Sequence, residues 1–189
     1  NKKHLKFECD IPIDMKDLSN KMTDRFMKFV KQYGHHLQMK IEPGRLLVGP
    51  SGILLSTVTN ITDTPKYRFV GVDTGFNHLI RPTMYGSYHK IINASSYSSM
   101  EKDVVVVGNI CESGDVLSRS GEKIMRSIPS PKVGEYLAFL DVGAYGYSMS
   151  SQYNLRPRPA EVLVKDGQSR LIRRAECFDD LIQCTRDIS

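Results

Sequence analysis

The sequence predicts a mainly β fold, a C-terminal β-sandwich or barrel domain preceded by one helix and one strand of the α/β-barrel type. Three observations predict it. Residues 14–34 place apolar side chains at helical spacing. Residues 37–41 alternate as a strand does and run into the polar cluster Glu42-Pro43-Gly44-Arg45. Beyond residue 46 the chain breaks into short Val- and Ile-rich runs punctuated by Gly, Pro, Asn and Asp, the pattern of a many-stranded β domain.

The helix rests on Leu18, Met22, Phe26, Phe29, Val30 and Tyr33, which share one face at three- and four-residue spacing, with Gly34 as its C-cap. In the segment that follows, His35 to Ile41, the residues Leu37, Met39 and Ile41 alternate with polar neighbours. Helix, strand and a polar cluster at the strand's C-terminal end fit one unit of an α/β barrel, whose sites lie at that end. The expected strands of the second domain are Leu46–Val48, Ile53–Val58, Tyr67–Val72, Tyr88–Asn93, Val104–Val107, Tyr136–Leu140, Glu161–Val164 and Arg170–Arg173. Asp166-Gly167 predicts a tight hairpin between the last two. Phe178, Leu181 and Ile182 predict a short terminal helix. The expected domains are 1–45 and 46–189.

Composition narrows the partners. The chain has 189 residues, 40% hydrophobic and 25% charged, with a formal net charge of +5, enough length and apolar content for a packed core. The bases are scattered among 21 acids, and only 156–158 and 170–174 are locally basic. No basic stripe with interleaved aromatics marks a nucleic-acid surface, so no nucleic-acid partner is expected. No apolar run approaches membrane-spanning length. Cys9, Cys111, Cys177 and Cys184 are widely spaced without a CxxC pair, which speaks against a disulfide framework or zinc site and for a reducing, cytoplasmic setting. No metal site is expected.

Five clusters are richer in polar residues and glycine than a scaffold demands. In the first, Gly44 lets backbone approach a phosphate and Arg45 offers a planar fork for an anion; a strand-ending turn with a surface ion pair is the plainer reading. The second runs from Asp73 through Arg81-Pro82 to Tyr85 and His89, and Arg81 and Tyr85, four apart, can converge on one anion; a loop with ordinary aromatic packing is the plainer reading. His78 and His89 read best as hydrogen-bonded structural residues. The third, Gly108 to Asp115, carries Cys111 beside Glu112, a thiol–carboxylate pair able to move a proton; a small buried Cys is the plainer reading, and Asp115 reads as structural. In the fourth, Gly143 and Gly146 flank Tyr145. The fifth, Tyr153-Asn154-Leu155-Arg156-Pro157-Arg158-Pro159, reads as a rigid basic loop.

In this order the clusters resemble the C-terminal half of the diaminopimelate decarboxylase family, in the alanine-racemase-like class of pyridoxal-phosphate enzymes. The matching strings are Glu42-Pro43-Gly44-Arg45, Arg81-Pro82 with Met84-Tyr85-Gly86-Ser87-Tyr88-His89, Cys111-Glu112-Ser113-Gly114-Asp115, Gly143-Ala144-Tyr145-Gly146, and Tyr153-Asn154 with Arg156-Pro157-Arg158-Pro159-Ala160-Glu161-Val162. The likeness covers roughly residues 10–185.

The resemblance implies the last helix and strand of an α/β (TIM-like) barrel, residues 1–45, followed by the family's β domain. It implies pyridoxal 5'-phosphate as cofactor, an amino-acid substrate, meso-diaminopimelate converted to L-lysine and CO2, and a homodimer with shared active sites. Carried over by motif, Glu42 faces the pyridinium nitrogen, and Gly44, Arg45 and Tyr145 serve the cofactor. Arg45, Arg81, Tyr85, Glu112 and Tyr145 bind substrate. Cys111 is the proton donor, lent with Glu112 to the partner subunit. Ornithine decarboxylases in this class carry Asp after the Cys and lack the Arg-Pro pair, which favours a substrate with a distal carboxylate. The alternatives are decarboxylation of another amino acid on the same scaffold, or a non-catalytic binding relative.

The family's cofactor-bearing lysine and Gly-Gly-Gly phosphate loop have no counterpart here, and Lys2, Lys3 and Lys40 are no substitutes. The expectation is a fragment of a longer chain, inactive by itself. Glu135, where the family favours Asp, is a lesser departure.

Overall fold

The computed structural model describes residues 13–34, 37–96 and 100–186. Lys2, Lys3, Cys9, His35 and His36 lie outside them. Contacts between Cα atoms divide the chain into two units, one ending at Pro43 and one beginning at Gly44.

The first unit holds the predicted helix, α1 (Met15–Tyr33). Asp14 caps it, its carboxylate accepting from the backbone N–H groups of Lys16 and Asp17 at 2.9 and 3.0 Å, which satisfies donors the first turn leaves open. Gly34 ends it with φ 138°, its N–H donating to the Val30 carbonyl. The expected strand at 37–41 is not formed: Leu37, Met39 and Ile41 are exposed and no strand among the described residues pairs with them. Alternation specifies which way side chains point, but a strand exists only when a neighbour takes its backbone hydrogen bonds.

The second unit is a six-stranded sheet in the order β3-β6-β1-β2-β4-β5. The strands are β1 (Leu54–Asp63), β2 (Arg68–Val72), β3 (Ile91–Asn93), β4 (Glu101–Val107), β5 (Arg126–Pro129) and β6 (Tyr136–Phe139). All neighbours are antiparallel except β2 and β4. The two edges, β3 and β5, approach each other, so the sheet curls into a nearly closed barrel. Its filling is Val58, Val70, Val72, Leu79, Ile91, Val104, Val106, Leu117, Ile128, Leu137 and Phe139, all almost wholly buried. At roughly 1.5–3 kcal/mol for each large side chain removed from water, this cluster is the main source of the unit's stability. A separate hairpin pairs β7 (Glu161–Lys165) with β8 (Gln168–Arg173). Its turn residues Asp166 and Gly167 have φ 51° and 73°, the left-handed pair that a two-residue turn of this kind requires. The short helix α4 (Phe178–Ile182) follows.

Two departures from the sequence reading are informative. The segment expected as a strand at Leu46–Val48 is a helical turn, α2 (Arg45–Val48). With no strand beside it, the backbone closes its hydrogen bonds locally, Leu47 N–H to the Gly44 carbonyl and Gly49 N–H to the Arg45 carbonyl. Strand β5 was not expected at all, because it opens on a charged residue. Arg126 is nonetheless 6% exposed, its guanidinium 3.9 Å from the Tyr88 ring centre with Nε donating to the Ser118 carbonyl at 2.8 Å. A cation so paired can stand in a wall that hydrophobic pattern would assign to apolar residues.

Candidate functional site

The residues that gather at one place are Gly44, Arg45, Arg81, Tyr85, His89 and Tyr145. Arg81 and Tyr85 open and close the short helix α3 (Arg81–Tyr85), so their four-residue spacing puts them on one face. The Arg81 guanidinium lies 5.5 Å from the Tyr85 ring centre and 5.3 Å from that of Tyr145. Its Nη2 donates to Ser87 Oγ at 3.3 Å, and its Nε is buried without a hydrogen-bond partner. Among the described residues neither Arg81 nor Arg45 has an acidic ion-pair partner. A half-buried guanidinium held between two aromatic faces and left unneutralised is a seat for an anion, and its fork matches a carboxylate.

Tyr145 owes its place to its neighbours. Its backbone is left-handed, φ 62°, a conformation that costs a non-glycine residue about 1–2 kcal/mol. The loop that carries it is tied to the turn after α2 by Gly143 N–H to the Gly49 carbonyl and Val142 N–H to the Gly52 carbonyl. A Cβ on Gly143 would fall 2.0 Å from the Val48 carbonyl oxygen. Gly143 therefore lets two backbones meet. The same contact brings the Tyr145 hydroxyl to 3.5 Å from where a Gly44 side chain would begin.

His89 is buried, with Nδ1 2.9 Å from the Leu140 carbonyl oxygen. Burial lowers its tendency to protonate; the Leu140 carbonyl opposes this, while the charges of Arg81 and Arg45 add to it. His78 is a structural tie, Nδ1 2.8 Å from Thr74 Oγ1 and Nε2 3.1 Å from the Pro157 carbonyl. Among the described residues no His, Cys, Asp and Glu are grouped so as to hold a metal ion.

Cys111 and Glu112 stand apart on the loop after β4. Both are exposed, and among the described residues no hydrogen bond or ion pair joins them to Arg81, Tyr85 or Tyr145. Glu112 Oε1 accepts from Gly114 N–H at 3.1 Å and from Ser113 Oγ at 3.2 Å. The loop is latched from beneath. Asp115, 3% exposed, accepts from Phe76 N–H at 2.7 Å and Ile110 N–H at 2.9 Å, and Thr83 Oγ1 on α3 donates to the Gly114 carbonyl at 2.8 Å. Burial pushes the Asp115 carboxyl up, and the two backbone donors pull it back. Replacing Asp115 by Ala should cost about 2–4 kcal/mol, because two N–H groups lose their partner. Denaturant unfolding of the full-length protein measures this, and an unchanged midpoint would show that the latch is dispensable.

Glu42 falls in the first unit and is exposed. Thr83 and Ser87 are not singled out as site residues from sequence; a hydroxyl two or six residues from an arginine gives no signal until the fold closes. No helix among the described residues is long and apolar enough to cross a membrane.

Known proteins share this sequence and fold. Residues 14–143 match the family described as pyridoxal-dependent decarboxylase, C-terminal sheet domain. Over 174 residues the chain is 43% identical to a diaminopimelate decarboxylase of Methanothermobacter thermautotrophicus, covering 91% of this chain and 39% of that protein. It is 45% identical over 162 residues to the enzyme of that name from Escherichia coli K12, covering 82% and 39%. The solved diaminopimelate decarboxylase from M. jannaschii in co-complex with L-lysine superposes with TM-score 0.79 at 38% identity, over 91% of this chain and 38% of that one. The chain thus spans about two fifths of the length of the relatives it matches.

Proposed function

Because this chain belongs to the family of pyridoxal-dependent decarboxylase C-terminal sheet domains, we propose that the full-length protein converts meso-diaminopimelate to L-lysine and CO2 with pyridoxal 5'-phosphate as cofactor. Residues 1–45 are, on this reading, the end of the α/β barrel, and the lysine that carries the cofactor belongs to the remainder of the full-length protein. The observation that carries the substrate is Arg81, uncompensated between Tyr85 and Tyr145 with an unpartnered buried Nε. A diamine acid such as ornithine offers it nothing; diaminopimelate offers a distal carboxylate. Leaving the fork unmet in a closed site is costly. The L-lysine bound in the M. jannaschii relative is the product this reading requires.

The residues present fit the cofactor. A phosphate monoester suits the Tyr145 hydroxyl and the bare backbone at Gly44, the hydroxyl lying 3.5 Å from where a Gly44 side chain would begin, which leaves the Arg45 guanidinium for the substrate. Glu42 is assigned by motif to the pyridinium nitrogen. Bound there, pyridoxal phosphate supplies an electron sink for the pair left behind by CO2. The chain's own residues do the rest. Arg45 and Arg81 hold the distal carboxylate, Tyr85 and Tyr145 shield that contact from water, Glu112 takes the distal ammonium, and the Cys111 thiol gives a proton to the carbon that has lost CO2. The exposure of Cys111 and Glu112 supports their delivery to the site of a second copy, hence a homodimer. The free thiols Cys111, Cys177 and Cys184 support a cytoplasmic setting.

Assay of the full-length protein with pyridoxal phosphate should give kcat/KM for meso-diaminopimelate at least about 10³ times that for ornithine or arginine, the discrimination expected of a site built to pair a polar group. Comparable turnover of ornithine would overturn the substrate assignment.

A further inference from the structure

His89 carries a buried polar atom that nothing described so far uses. The residue is 3% exposed and its Nδ1 meets the Leu140 carbonyl at 2.9 Å. A carbonyl only accepts, so Nδ1 bears the proton and, in the neutral ring, Nε2 is a bare acceptor. That acceptor is buried with no partner. Arg81 presents the complementary orphan: its Nε–H is buried with no partner while Nη2 is engaged by Ser87. The two side chains are brought together by the chain itself: Arg81 Nη2 is held at 3.3 Å by Ser87 Oγ, two residues before His89, and the Arg81 charge adds to burial in opposing protonation of the ring. A buried donor and a buried acceptor left unmet are each costly, and a water that bridges them removes both costs.

We propose that His89 is a positioning residue for Arg81, its Nε2 and the Arg81 Nε–H joined through one bound water, so that the Nη1–Nη2 edge of the fork faces the substrate's distal carboxylate. The proposal rests on the substrate reading given above. The rival role for His89 is purely structural, an anchor for the Leu140–Gly146 loop that carries Tyr145. The two differ in which ring nitrogen matters.

The test is a double-mutant cycle on the full-length protein with pyridoxal phosphate. His89→Asn keeps an amide donor for the Leu140 carbonyl and removes the Nε2 acceptor. It should raise KM for meso-diaminopimelate about tenfold with kcat within about threefold, and should add no further increase in an Arg81→Leu background. An equal factor in both backgrounds would show that His89 does not act through Arg81 and would overturn the proposal. His89→Gln carries its amide oxygen to the Nε2 position, so its KM should stay within about threefold of the native value; a KM as high as that of the Asn variant also overturns it. If Arg81→Leu by itself leaves KM unchanged, the substrate reading falls first, an outcome distinct from failure of the cycle.

Discussion

Replacing Arg81 by Leu in the full-length protein should raise KM for meso-diaminopimelate by about 30- to 150-fold, the equivalent of about 2–3 kcal/mol for a charge-assisted pair. The magnitude follows from the setting. The guanidinium is half-buried, held between the rings of Tyr85 and Tyr145, and no carboxylate of the described chain competes for it. Its pairing with substrate therefore forms where water screens only in part. The fold should tolerate the change, since Arg81 gives up one 3.3 Å hydrogen bond to Ser87 and Leu is a good helix former. Arg81→Lys should fall between, keeping the charge and losing the fork. The readouts are steady-state KM and kcat beside a thermal melt. A native KM in a folded Leu variant would remove Arg81 from the substrate site and, with it, the ground for preferring diaminopimelate to a diamine acid.

The parts of the fold legible from sequence were those in which pattern and local chemistry agree. Helix α1 announces itself by one apolar face between Asp14 and Gly34, and the β7–β8 hairpin by Asp166-Gly167, whose left-handed geometry only a few residue types accept. What could not be read depends on partners remote in sequence. Leu37, Met39 and Ile41 have the alternation of a strand and no neighbouring strand. Leu46–Val48 looks like an apolar strand and closes on itself as α2. Arg126 looks like a surface residue and fills the barrel wall because Tyr88 and the Ser118 carbonyl receive it.

The candidate site divides the same way. Residue types pointed to Arg81 with Tyr85, and the fold adds Tyr145 to them across 60 residues of chain, an approach that spacing cannot reveal. The glycines around Tyr145 were legible as unusual, but their reason was not: Gly143 makes room for the Val48 carbonyl rather than for a ligand. Cys111 reads as a small buried thiol when taken alone. It is exposed because Asp115, an ordinary turn residue by sequence, takes the two backbone donors Phe76 and Ile110 and holds the loop out.

That exposed loop leads to the second large effect. Cys111→Ala should lower kcat of the full-length protein by about 10²–10³, the range typical for loss of one positioned proton donor, with KM within a few-fold of native. Stability should not move, since the thiol is free and at the surface. The loop's exposure gives the change a further consequence. If each subunit lends Cys111 to its partner, a Cys111→Ala subunit paired with an Arg81→Leu subunit builds one site with native Arg81 from the first and native Cys111 from the second. The other site carries both defects. Random re-association of the two inactive variants should therefore restore about a quarter of the native sites, because half of the dimers are mixed and each mixed dimer has one intact site. The assay must run with substrate near the native KM, where Arg81→Leu sites are idle. If both residues served the site of their own subunit, mixed dimers would hold two defective sites and activity would stay at the level of the separate variants. Recovery in verified heterodimers is thus decided by where the Gly108–Asp115 loop points, and a mixed dimer without recovery would return Cys111 to its own subunit or remove it from the chemistry.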